Sequence, residues 1–114
     1  MTCSRLIMLA VMGLAYASQS LAANDLARGT EVFNGTCIAC HGTDGSGNLP
    51  GVPDLTGSKG LLSIQDAVLL KRMADGFQSP GSPMAMPPRG GDPGLTDADL
   101  KAVLKYMRKE FQSN

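Results

Sequence analysis

The side chains best able to hold a metal or form a covalent adduct stand within five residues: Cys37 and Cys40 with His41, in Cys-Ile-Ala-Cys-His. His41 is the only histidine in the chain. Two thiols three positions apart on one helical turn can each add across a vinyl group and form a thioether. The residue that follows then sets an imidazole beneath the ring that carried those vinyls. This spacing is that of a c-type haem attachment site, with Cys37 and Cys40 anchoring one haem c and His41 binding its iron. The rival chemistries fit less well. A structural zinc site needs four ligands; Cys3 lies in the expected leader and goes with it, so only a carboxylate could complete the set. A thioredoxin-like dithiol needs a βαβ setting, and the chain has no strand-like alternation. A disulfide across two intervening residues is the default for an exported pair of cysteines, but the adjoining histidine favours haem. With one histidine, bis-histidine ligation and a second haem are excluded.

The sixth iron ligand must come from elsewhere in the chain. Met73 and Met107 fall in helical patterns, where a methionine usually packs in a core. Met84 and Met86 fall in a Pro-rich segment that can cross the far face of a ring. Pro83, Pro87 and Pro88 restrict that backbone, which lowers the entropy lost on fixing a thioether. Methionine with histidine is a standard axial pair for haem c, so a loop methionine is expected.

These residues have to be positioned by a short chain. Of its 114 residues, the first 22 are expected to be a signal peptide. Arg5 precedes an apolar run from Leu6 to Ala17, and Ser20-Leu21-Ala22 offers small residues where a peptidase cuts. The run is too short to span a membrane. Export would put the protein in the periplasm and leave one domain, residues 23–114. That domain has only four aromatics, Phe33, Phe77, Tyr106 and Phe111, so a buried porphyrin would help to fill it. Without Arg5 it carries nine basic and ten acidic side chains, and no basic stripe that would suit nucleic acid.

Three helical patterns remain, and the expected class is all-α. Asn24 is a suitable N-cap for the first, with Leu26, Gly29, Thr30 and Phe33 on one face until Asn34-Gly35 ends it. Ser63-Ile-Gln-Asp66 resembles a capping box that opens a helix through Met73, closing at Asp75-Gly76. Thr96-Asp-Ala-Asp99 is a second such cap. Leu100, Val103, Leu104, Met107 and Phe111 then fall on one stripe. The segments between, 42–60 and 77–95, are long, rich in Gly and Pro, and so expected to be functional.

With these residues in view, the chain from residue 23 onward resembles a class I cytochrome c. Asn24 to Phe33 resembles the family's first helix through Gly29 and Phe33, and Leu104-Lys-Tyr106-Met107 resembles its last, where an aromatic crosses near that glycine. Pro53-Asp-Leu55 resembles the family's Pro-x-Leu. The resemblance implies that the Pro53 carbonyl receives the His41 N–H and that Leu55 packs on the ring. Ala85-Met86-Pro87-Pro88-Arg89-Gly90-Gly91 is similar to the bacterial cytochrome c5-like subgroup, which implies Met86, ahead of Met84, as the ligand. The further cysteine pair common in that subgroup is absent from Gly91-Asp92-Pro93-Gly94. The fold implied is a small three-helix cytochrome c around one covalent haem.

The function expected is one-electron transfer between redox protein partners, without catalysis, the ring edge lying near Ile38, Ala39, Gly42, Ala85 and Pro87. A subunit tied to a periplasmic dehydrogenase or oxidase is the first alternative. A five-coordinate haem sensor or peroxidase-like enzyme is the second.

Overall fold

The computed structural model describes residues 21–112. The expected signal peptide falls outside the described residues, apart from its last two positions. Helix α1 is α-helical over residues 21–32, π-helical at Phe33–Cys37, and α-helical again at Ile38–His41. Two expectations change here. Asn24 lies inside the helix, because Leu21-Ala22-Ala23 are strong helix formers that carry it upstream. Asn34-Gly35 does not end the helix either. The Ile38 N–H reaches back five residues to the Phe33 carbonyl, so one extra residue is absorbed and the helix resumes. That insertion turns the following side chains by roughly 100° relative to an unbroken helix. Cys37, Cys40 and His41 therefore owe their facing to the π-turn, a device common at functional sites.

Gly42, at φ +81°, stops the helix. The next loop folds back on it, with Gly47 N–H on the His41 carbonyl at 2.9 Å and Asn48 N–H on the Cys40 carbonyl at 2.8 Å. These bonds satisfy carbonyls that a helix end leaves open. A 3-10 turn, Leu61–Ser63, precedes helix α2, Asp66–Asp75. Ser63 does not cap α2 as expected. Its hydroxyl is spent on the Gly60 carbonyl at 2.7 Å inside that turn, and Gln65 holds the N-cap with no side-chain bond. Gly76 closes α2 as expected.

Helix α3, Asp97–Met107, begins at the expected capping box, with Thr96 and Asp99 bonding reciprocally. It ends in a π-turn, Arg108–Gln112. The stripe Leu100, Val103, Leu104, Met107 and Phe111 is buried throughout. It meets Val32 and Phe33 from α1 and Leu69 and Met73 from α2. Among the described residues there is no strand, only one isolated antiparallel bridge between Phe77 and Met86.

Gly29 sets how closely α1 and α3 cross. A Cβ there would lie 2.8 Å from the Ala102 carbonyl carbon and from Tyr106 Cβ, which no side chain survives without moving a backbone. Ion pairs brace the crossing: Arg28 with Asp99 at 2.7 Å, and Lys105 with Asp25. The Arg28 guanidinium holds the Asp99 carboxyl well below the usual carboxylate range. That carboxylate also receives the Thr96 N–H at 2.9 Å.

Candidate haem site

One cavity of about 200 Å³ opens among the three helices and both long loops. The π-turned end of α1 puts Cys37, Cys40 and His41 on its wall. The first loop contributes Pro53 and Leu55, and the Pro-rich loop contributes Met86. All six residues singled out in the sequence therefore line one space. Met73, Met84 and Met107 line it too, so position in the cavity does not by itself distinguish among the methionines.

Their surroundings differ. Met73 and Met107 are buried helix residues within the core. Met84 is 38% exposed. Met86 is half-buried against the core, and its backbone is held at both ends of the bridge. Phe77 N–H donates to the Met86 carbonyl at 3.0 Å, and Met86 N–H donates to the Phe77 carbonyl at 2.8 Å. Of the two loop methionines, Met86 has the better-fixed main chain and the more sheltered side chain.

The site's polar groups fit a covalent, iron-bearing ring. Cys37 and Cys40 are not joined to each other. Burial, with the neighbouring Cys40 second, pushes the Cys37 thiol up to about 11, so it stays protonated at neutral pH and is a poor nucleophile unaided. Burial pulls the His41 imidazole below its ordinary value, partly opposed by the Pro53 carbonyl. The neutral ring is the form that ligates a metal. His41 Nδ1 is buried and makes no hydrogen bond of good geometry. The Pro53 carbonyl is near enough to act on the ring's charge without completing that bond. A half-buried imidazole whose sealed Nδ1 is unbonded, beside two free thiols in an apolar cavity, is what a haem c would complete. Leu55, 3% exposed, is placed as the apolar wall expected of it.

Two lining residues were missed in the sequence. Among the described residues Arg72 is the only permanently charged side chain on the cavity wall, and its guanidinium carbon stands 4.0 Å from the centre of the Phe77 ring. The signal was faint: Arg72 lies three positions after Leu69 and so near its helical face, but an arginine on a helix is mostly exposed. Phe77 read only as one of four aromatics, because nothing local marks it as the partner of Met86 across nine residues.

A cavity wall built from a Cys-x-x-Cys-His helix end and a later methionine loop, under three helices, defines a small cytochrome. The family comparison gives the same result: residues 26–110 match the cytochrome c family model, and the chain belongs to that family. It is 37% identical over 88 residues to cytochrome c-554(548) of Halomonas halodenitrificans, covering 77% of this chain and 99% of that one. It is 30% identical over 92 residues to cytochrome c-555 of Prosthecochloris aestuarii, covering 75% and 88%. Lupanine 17-hydroxylase (cytochrome c) of a Pseudomonas species is 36% identical over 81 residues, covering 69% of this chain but 10% of that one. No solved structure matches the chain. The domain is thus a class I c-type cytochrome, a family that carries electrons on covalent haem.

Proposed function

We propose that the chain is a periplasmic monohaem electron carrier, its haem c bound through Cys37 and Cys40 and its iron held by His41 and Met86. The observation that carries this is the convergence of those four residues, with Pro53 and Leu55, on one apolar cavity. Bound there, the group supplies an Fe(II)/Fe(III) couple whose potential is raised by a thioether ligand and by burial. The α1 end fixes ring position through two anchors on one turn. The Pro53 carbonyl, beside the His41 ring, would accept its Nδ1–H once the ring is drawn into place, leaving the other nitrogen to hold the metal. Met86, on the opposite loop, would supply the second axial ligand and so leave no position for a substrate. Spectra test this: the carrier is low-spin in both oxidation states, and its reduced form does not bind CO readily. A high-spin ferric spectrum with avid CO binding would mean a sensor or peroxidase-like site.

Arg72 fits a haem carboxylate, since a lone guanidinium on an apolar wall gains most from an anion. Its charge then disfavours the ferric state. Arg72→Gln is expected to lower the reduction potential, measured by film voltammetry. An unchanged or raised potential would remove Arg72 from this role.

Electrons are expected to leave across an uncharged face. Residues 45–53 and 76–88 contain no charged side chain, and they expose Leu49, Phe77 and Met84. Of the edge read in the sequence, Ala39, Ala85 and Pro87 are exposed, the last two within this face, whereas Gly42 is buried and Ile38 half-buried. Burying such a face against a charged one costs desolvation without a partner, so the fitting redox partner presents an apolar, neutral surface. Electron self-exchange between two copies should change less than about twofold between low and physiological salt. A steep salt dependence would point to the charged flanks instead.

A second reading has support from relatives. The cbb3-type cytochrome c oxidase subunit FixP of Bradyrhizobium diazoefficiens matches over 46% of this chain and 18% of its own length. Similar domains thus occur within longer redox proteins, and copurification with a dehydrogenase or oxidase would favour a bound subunit over a free carrier.

A further inference from the structure

The segment that bears Met86 is closed twice. Its base is the Phe77–Met86 bridge already described. Its tip is folded on itself, with Ser82 N–H on the Ser79 carbonyl at 3.0 Å and the Gln78 side-chain amide on the Ser82 carbonyl at 3.0 Å. From that tip the Ser82 hydroxyl reaches two carbonyls, Met84 at 2.8 Å and Gly51 at 3.2 Å, and its single proton is shared between them. The Met84 N–H approaches the same oxygen at 3.4 Å.

The bond to Gly51 crosses 31 residues of sequence and joins the two loops that flank the cavity. Gly51 stands two residues before Pro53, which faces His41. Ser82 stands four residues before Met86. The contact is close-fitting: Gly51 has φ +86°, and a Cβ there would lie 2.6 Å from Pro83 Cδ. Only glycine lets the two loops meet.

We propose that Ser82 is a positioning residue: its hydroxyl latches the Met86 segment to the Gly51–Pro53 segment and so keeps the Met86 thioether inside the cavity. The inference rests on the reading of Met86 as the sixth ligand. Without the latch the bridge still holds the base, but the tip keeps only its packing against Gly51, and the segment opens more often. Each opening exposes the iron's sixth position to an outside ligand, so the opening equilibrium sets the rate at which that ligand enters. The latch acts on the loop's population of open states, not on the core.

The test uses the full haem-loaded protein in its ferric form, with cyanide as the entering ligand. Backbone hydrogen exchange is followed at Phe77, Met86 and Val103. Ser82→Ala is expected to speed cyanide binding by roughly three- to tenfold, the factor one net hydrogen bond supplies. Exchange at Phe77 and Met86 rises with it, while exchange at Val103, in α3, stays as it was. Ser82→Thr, which keeps the hydroxyl, restores the slow rate. Gly51→Ala, which parts the loops from the other side, acts in the same direction as Ser82→Ala. Unchanged cyanide rates in both alanine variants would overturn the proposal. So would a matching rise at Val103, which would make Ser82 a matter of general stability. If Met86→Ala keeps the sulfur-to-iron absorption band, the ligand reading itself has failed, and the exchange data separate that failure from failure of the latch.

Discussion

Met86→Ala is expected to convert a low-spin ferric protein into a high-spin one, with loss of the sulfur-to-iron band and entry of water at the vacated position. The potential falls on the order of 0.2 V, a fraction of the roughly 0.8 V that axial ligation spans. The sign follows from the ligand. A thioether is soft and neutral and favours Fe(II), whereas water stabilises Fe(III) better. Met86 is the residue whose backbone is pinned to Phe77 and whose side chain is sheltered. Met84, 38% exposed, would have to turn in from the surface. Met84→Ala should therefore leave the band in place. If Met84→Ala abolishes it and Met86→Ala does not, the two residues exchange roles.

Phe33→Ala is the core substitution with the largest expected cost, about 3–5 kcal/mol. Phe33 is fully buried, and its ring centre lies 5.4 Å from that of Tyr106 and 5.2 Å from that of Phe111. These three rings hold the π-turned end of α1 against α3. In a domain of this size the loss is a large part of total stability, roughly 5–15 kcal/mol. The effect also reaches the site, since Phe33 is the first residue of the turn that faces Cys37 into the cavity. Chemical denaturation of the haem-loaded protein measures it. A loss below about 1 kcal/mol would mean that the covalent ring, and not the aromatic cluster, holds this end of the helix.

The sequence was most legible where chemistry and spacing coincide. Cys-x-x-Cys-His gave three wall residues, and the Thr96 cap with the α3 stripe gave an element in full. Both are local patterns. What escaped was set by contacts across the chain. Asn34-Gly35 reads as a helix stop, yet Phe33 and Ile38 close a five-residue step across it, because packing of Phe33 and the return of residues 47 and 48 onto Cys40 and His41 outweigh local preference. Ser63 reads as a cap, yet a tight 3-10 turn claims its hydroxyl first. The Ser82–Gly51 contact has no local signature at all, since either residue alone is an ordinary loop residue. Arg72 was hidden for a different reason: an arginine on a helix reads as solvent-facing until the cavity beside it is known.

The intact mass of the purified protein, taken with a pyridine haemochrome spectrum, tests the covalent haem most directly. One haem per chain is expected to survive acid–organic extraction, with the spectrum of two thioether links, and to be lost when Cys37 and Cys40 are both replaced by serine. A chain without haem, or with haem that extracts freely, would contradict it.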